Sequence, residues 1–246
     1  MELHHHPAEK KKFKEYLLEG LMIFIAVTMG FFAESLREHI GENHKEHEYI
    51  HSLYGDLKQD SVAFKNTLKE NYYKLRWLDS VLTLTGKNLN DVHNRQLLYR
   101  YSSNGISYYS AFGSNDATMT QLKSAGGLQY IRRGHLADSI ARYDQEMRSI
   151  YGAEGNYGKT IEAGMNAMAR LLVYSIFKDS TYFKKGDFTD KMPPLLSTDA
   201  NALNLFFNQV SMERGWTINY IQNLEERVPY NSRLMALLKE EYNIEE

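Results

Sequence analysis

The sequence predicts an all-α protein in which one N-terminal transmembrane helix continues into a long amphipathic helix, followed by an extracytoplasmic helical bundle. Three observations carry that expectation. An apolar stretch of membrane-crossing length lies near the N-terminus, apolar residues beyond it recur at intervals of three, four or seven, and only 4 of 246 residues are proline. Leu, Lys, Glu and Met, all good helix formers, are abundant.

The apolar stretch comes first. Leu17 to Leu36 reads LLEGLMIFIAVTMGFFAESL, and its middle, Gly20 to Ala33, carries no charge. Twenty residues of helix rise about 30 Å, the thickness of the hydrocarbon core. Lys10, Lys11, Lys12 and Lys14 precede it, whereas the mixed set Arg37, Glu38, Glu42 and Lys45 follows. The positive-inside rule therefore keeps the N-terminus in the cytoplasm and exports the rest. The expected division is a basic cytoplasmic segment at 1–15, a transmembrane helix at 16–37 and a periplasmic helical domain at 38–246, anchored in the inner (cytoplasmic) membrane. Two other readings compete. Ala33-Glu34-Ser35 has the small residues of a signal-peptide cleavage site, and an uncharged run of this length also suits a buried core helix.

Glu19 and Glu34 fall inside the nominal span, and fifteen residues of α-helix bring them to within about 60° of each other around the axis. Either both reach headgroups and water near the span ends, or they line a seam between helices. Ala26 and Gly30 form a small-xxx-small pair that lets neighbouring helices approach, so a homo-oligomer with inward-facing carboxylates is one expectation.

Beyond the anchor, Ile50, Leu53, Leu57, Phe64, Leu68, Leu75, Leu78 and Leu82 recur with helical periodicity, which predicts a helix from the membrane to about Leu84. Gly86 and Asn88 stop it. Lys87 to Ser114 is mixed, with a Tyr-rich piece at Ile106 to Phe112 that reads as extended. Asp116 caps a short helix that Gly126 and Gly127 end. A further helix fits Leu136 to Ile150, weakened by Gly152, Gly155 and Gly158, and another fits Ile161 to Ile176. Pro193 and Pro194 mark a loop from Lys178 to Thr198. Asp199 caps the next helix, and Pro229 and Asn231 separate it from a last one through Tyr242.

Composition limits what such a chain does. A mean hydropathy of −0.52 excludes a many-spanning transporter and makes the membrane character local. With 29 Lys and Arg against 31 Asp and Glu, and no dense basic stripe beyond the N-terminus, nucleic acid is not an expected partner. The absence of cysteine excludes disulfides, thiolate metal sites and a cysteine nucleophile.

The segments YLLEGLMIFIAVTMGFFAESLREH, EYIHSLYGDLKQDS and TMTQLKSAGGLQYIRRGHLADSIARYD together resemble a family of single-span proteins common in Bacteroidota and known as a domain of unknown function. The resemblance covers about half the chain. It implies an acidic residue before the apolar run, a Glu-Tyr-aliphatic step opening the helix outside the membrane, and a Leu-Lys-Ser-x-Gly-x-Leu-x-x-Ile turn before the next helix. It implies topology and no reaction.

The one formal catalytic motif is His47-Glu48-Tyr49-Ile50-His51, an H-E-x-x-H match. On a helix its histidines share a face and suit zinc, with Glu48 as the base on a zinc-bound water and His44 one turn earlier. The competing reading is a solvated helix face. In the resembled family charged residues stand where His47 does, which favours that reading and leaves no cofactor expected. His4, His5 and His6 read as an incidental run. The sequence holds no nucleophile elbow, phosphate-cradling loop or dinucleotide fingerprint. Met165 and Met168 read as core. Trp77 and Trp216, with tyrosines 72, 73, 108 and 109, read as core or as an aromatic contact surface.

Three functions follow, with a non-enzyme expected. The first is a membrane-anchored interaction or scaffold protein that self-associates or docks onto an envelope partner. The second is a homo-oligomeric pore or ion channel lined by Glu19 and Glu34. The third is a membrane-tethered zinc peptidase.

Overall fold

In a computed structural model of the chain, the described residues are all but 1–12, 107, 109, 125, 179–191 and 245–246; His4, His5, His6, Lys10, Lys11, Lys12, Tyr109 and most of the loop expected after Lys178 lie outside them. Helix α1 spans Phe13–Leu82, α2 Val92–Gly105, α3 Ala117–Ser124, α4 Gly134–Leu171 and α5 Ala200–Tyr242, with 3-10 turns at Gly127–Tyr130 and Tyr174–Lys178. No strand occurs among the described residues. Three of the helices are built on heptads.

In α1 the buried positions step by four and three without interruption: Glu46, Ile50, Leu53, Leu57, Asp60, Phe64, Thr67, Asn71, Lys74, Leu78 and Val81. Helix α4 repeats the pattern from Leu136 to Ile150 and again from Tyr157 to Leu171, and α5 from Phe206 to Leu224 and from Asn231 to Leu238. Such seams pack against one another at shallow angles. Asp60 meets Tyr143 and Asn71 meets Tyr157, so α4 runs parallel to α1. Ser61 meets Asn231 and Lys74 meets Glu213, so α5 runs antiparallel to both. Helix α2 folds back on the far end of α1, where Leu78, Val81, Leu98 and Tyr99 join Met168, Phe206 and Val210 in a second apolar cluster.

Several sequence expectations hold locally. Helix α1 ends at Leu82, with Gly86 in the left-handed region at φ 75°. Asp199 caps α5 by accepting from the backbone N–H groups of Asn201 and Ala202. Helix α3 follows Asp116, and Gly126, at φ 64°, makes the turn after it.

Two expected breaks are absent. Helix α4 is one rod of 38 residues that runs through Gly152, Gly155 and Gly158. Each glycine costs about 1 kcal/mol in a helix interior, but none of the three faces another element, and burial of Ile150, Tyr157 and Ile161 on the opposite side offsets the cost. Helix α5 likewise continues through Pro229. Asn231, read as a stop, is buried and donates to the Leu57 carbonyl at 3.1 Å, which ties the helix down just after the proline. The region expected to be mixed holds α2, capped by Asp91, and the described residues after it, up to Asp116, are irregular and form no strand.

Candidate functional site

Helix α1 is long and apolar enough to cross a membrane, and its apolar part lies near the N-terminus. None of its most apolar stretch is buried by the other described residues. Phe24 is 67% exposed, Phe31 75% and Phe32 72%, and Leu17, Ile23, Val27 and Leu36 face outward in the same way. Apolar side chains thus ring the whole circumference of the rod. Water-facing surfaces rarely carry an apolar patch of this extent.

The four residues expected at a seam lie on this rod. Ala26 and Gly30 are exposed, with no atom near the position a Gly30 Cβ would take. Glu34 is held by the Arg37 guanidinium, which donates from Nε to Oε2 at 3.0 Å and again from Nη2 to Oε1. Glu19 is half-buried.

A clasp closes where the rod enters the domain. Arg132, between the 3-10 turn and α4, reaches back to α1: Nη1 lies 2.7 Å from His39 Nε2, and Nη2 donates to the His39 carbonyl at 3.2 Å and to Glu42 at 3.0 Å. One turn along, the buried Glu46 accepts from the Arg132 backbone N–H at 3.2 Å and from the Tyr242 hydroxyl. Burial and that carboxylate push the Tyr242 hydroxyl pKa up. Arg133 pairs with Glu241, and His135 lies 3.2 Å from the same carboxylate. Helices α1, α4 and α5 are therefore joined within three turns of the end of the apolar stretch.

The H-E-x-x-H residues sit beside this clasp on the outer face of α1. His44 Nε2 lies 3.3 Å from Glu48, the expected base, and His47 packs the edge of its ring on Tyr242, with centroids 5.1 Å apart. Glu48 and His51 line an open recess with Tyr49, Gln121 and Tyr130. Among the described residues no group of three or more His, Cys, Asp or Glu is placed to hold a metal ion.

Sequence reasoning missed the polar layers of the core. Asp60 accepts from Tyr143 Oη at 2.6 Å, Ser114 Oγ at 3.0 Å and the Asn115 N–H at 2.6 Å, while Asp56 accepts from Asn115 Nδ2 at 2.8 Å and the Thr118 N–H at 3.0 Å. These two carboxylates pin the irregular segment to α1. Burial raises the Asp60 pKa against the lowering effect of its donors. Two heptads further, Lys74 lies 2.7 Å from Glu213 Oε1, with both side chains wholly buried. Lys74 also donates to the Tyr108 carbonyl at 2.8 Å. Glu213 Oε2 has no donor and points at Gly164, where a Cβ would collide with it. Burial outweighs the attraction of Lys74 and pushes the Glu213 pKa up to about 7; burial also lowers Lys74. The signal was present in the spacing, because Glu46, Asp60 and Lys74 stand two heptads apart in one seam.

The expected aromatic surface forms in part. Tyr73 sets its edge on Trp77 at 5.7 Å and on Tyr108 at 6.5 Å, with Arg100 over the Trp77 ring. Trp216 lies apart from this cluster on α5, and Tyr72 donates to Glu225 at 2.6 Å. No protein-family model matches the chain, and no curated protein or solved structure matches it.

Proposed function

We propose that this is a membrane-anchored interaction or scaffold protein. Its N-terminal helix crosses the inner membrane once with the N-terminus in the cytoplasm, and its helical domain stands on the periplasmic side, where it self-associates or docks onto an envelope partner. The observation that carries this reading is the continuity of α1, which passes from a fully exposed apolar stretch into a buried heptad seam as one helix. A flexible linker suffices for a simple tether. A rigid rod of about 105 Å, braced by Arg132 where it enters the domain, instead presents the domain at a fixed height and attitude, as a docking protein requires. The lysines before the span support the orientation, and the resemblance to a single-span family supports the same topology.

The test is native electrophoresis of gently solubilised membranes from cells making the full chain. The expected result is a discrete complex larger than the monomer that survives exchange of residues 16–37 for an unrelated single span and disappears when residues 38–246 are replaced. A monomer under every extraction condition, with or without crosslinking in intact cells, would overturn the reading.

A further inference from the structure

Helices α4 and α5 leave a recess of about 160 Å³ between them, with Ser139, Arg142, Tyr230 and Arg233 around it and Leu234 and Leu237 in its lining. Arg170 near the end of α4 meets no carboxylate among the described residues, but other arginines on or just before these helices do: Arg133 with Glu241, Arg148 with Asp144, Arg227 with Glu146 and Arg214 with Asp79. The two arginines of the recess do not. Arg142 has Asp138 one turn before it and Glu146 one turn after, the usual helical partners, yet it lies over the Tyr230 ring, 5.4 Å from the centroid. Arg233 meets no carboxylate among the described residues, and the Tyr230 hydroxyl makes no hydrogen bond there. Two guanidinium groups, a free phenol and an apolar lining therefore converge on one gap in a chain whose formal net charge is -2.

The volume decides what fits. Sites for drug-sized ligands and cofactors occupy roughly 300–1,000 Å³, so 160 Å³ holds one side chain or headgroup rather than a nucleotide. The recess also stands two to three helical turns beyond the Arg132 clasp, too far along the domain for a lipid headgroup to reach. Guanidinium pairs bind planar carboxylates by parallel hydrogen bonds, and arginine clusters read acidic motifs in peptide segments. We infer that this recess is the docking point for an acidic peptide segment of a partner protein, with a Glu or Asp carboxylate between Arg142 and Arg233 and a neighbouring aliphatic side chain on Leu234 and Leu237. The inference rests on the scaffold reading above and names the chemistry of the partner.

The experiment uses the full chain in lipid nanodiscs and follows the arginine Nε–H signals by NMR while N-acetyl-Leu-Glu-Leu-amide is added. The expected result is saturable shifts of the Arg142 and Arg233 signals, with at least tenfold weaker binding of N-acetyl-Leu-Gln-Leu-amide. Arg142→Gln with Arg233→Gln should abolish that preference, whereas Arg148→Gln with Arg170→Gln should keep it. Equal binding of the two peptides, or a preference that survives in the first double variant, overturns the inference. So does inorganic phosphate shifting the same signals where the acidic peptide does not, since the site would then take a free anion. A native complex that persists in the Arg142 and Arg233 variant, with the peptide preference lost, removes the recess from partner docking but spares the scaffold; absence of any complex from the unmodified chain removes the scaffold itself.

Discussion

From Phe13 to Ile40, helix α1 turns Leu, Ile, Val, Met and Phe outward, whereas from Glu46 to Val81 the same helix buries Glu46, Asp56, Asp60, Asn71 and Lys74. In water the two halves would exchange roles, because exposed apolar surface and buried charge are both unfavourable. The charged half is accounted for by its partners: Tyr143, Asn115, Tyr157 and Glu213 receive its polar groups at hydrogen-bonding or ion-pair distance. Among the described residues the apolar half has no such partners. The stretch is long and apolar enough to cross a membrane, and the proposed anchor rests on that.

The comparison breaks most directly in the apolar half. Ile23→Arg together with Val27→Arg places two charges at the centre of the span, each costing about 2.5–3.5 kcal/mol to insert. Alkaline extraction should then move most of the chain from the membrane pellet to the supernatant, and retention in the pellet would count against insertion. In the charged half, Lys74→Ala strands the Glu213 carboxylate in the core, and denaturant titration should read a loss of about 3–5 kcal/mol. Lys74→Met with Glu213→Leu should recover most of it, since an apolar pair of similar volume carries no desolvation cost.

A smaller effect comes from pH. The Glu213 pKa in the folded chain is about 7, above its unfolded value, so the folded state holds this proton more tightly. Stability from Glu213 is fully present below the unfolded carboxylate range and is lost as pH rises through about 7. Asp60, raised by burial, acts with the same sign. From Glu213 alone the domain should be more stable at pH 5.5 than at pH 8 by about 2 kcal/mol; Lys74, lowered by burial, acts in the opposite sense, and Glu213→Gln should remove the Glu213 part of that slope. The smallest effect belongs to the exposed pair of Arg214 with Asp79, where Arg214→Ala should change stability by less than about 1 kcal/mol.

These differences also explain what the sequence disclosed. The apolar N-terminal stretch, the length of α1, the turn at Gly86 and the Asp199 cap were legible because each depends on neighbouring residues alone. The unbroken courses of α4 and α5 were not, because glycines at 152, 155 and 158 and proline at 229 are local breakers overruled by packing on other helices. The polar layers were hidden for a related reason. Asp60, Lys74 and Glu213 look like solvent-facing residues until their heptad positions are compared across three helices, and only the fold brings their partners together. The recess at Arg142 and Arg233 likewise joins residues from two helices and has no local motif.

Because the chain lacks cysteine, each introduced thiol is a unique probe of what surrounds α1. Single variants Ile23→Cys, Val27→Cys and Phe31→Cys, with Ser52→Cys and Gln121→Cys on the domain surface, would be treated in intact membrane vesicles with a membrane-impermeant maleimide. Vesicles are oriented so that the domain faces the reagent. The account predicts rapid labelling at 52 and 121 and none at 23, 27 and 31 until the membrane is dissolved and the chain denatured. Equal labelling at all five positions in intact vesicles would contradict it.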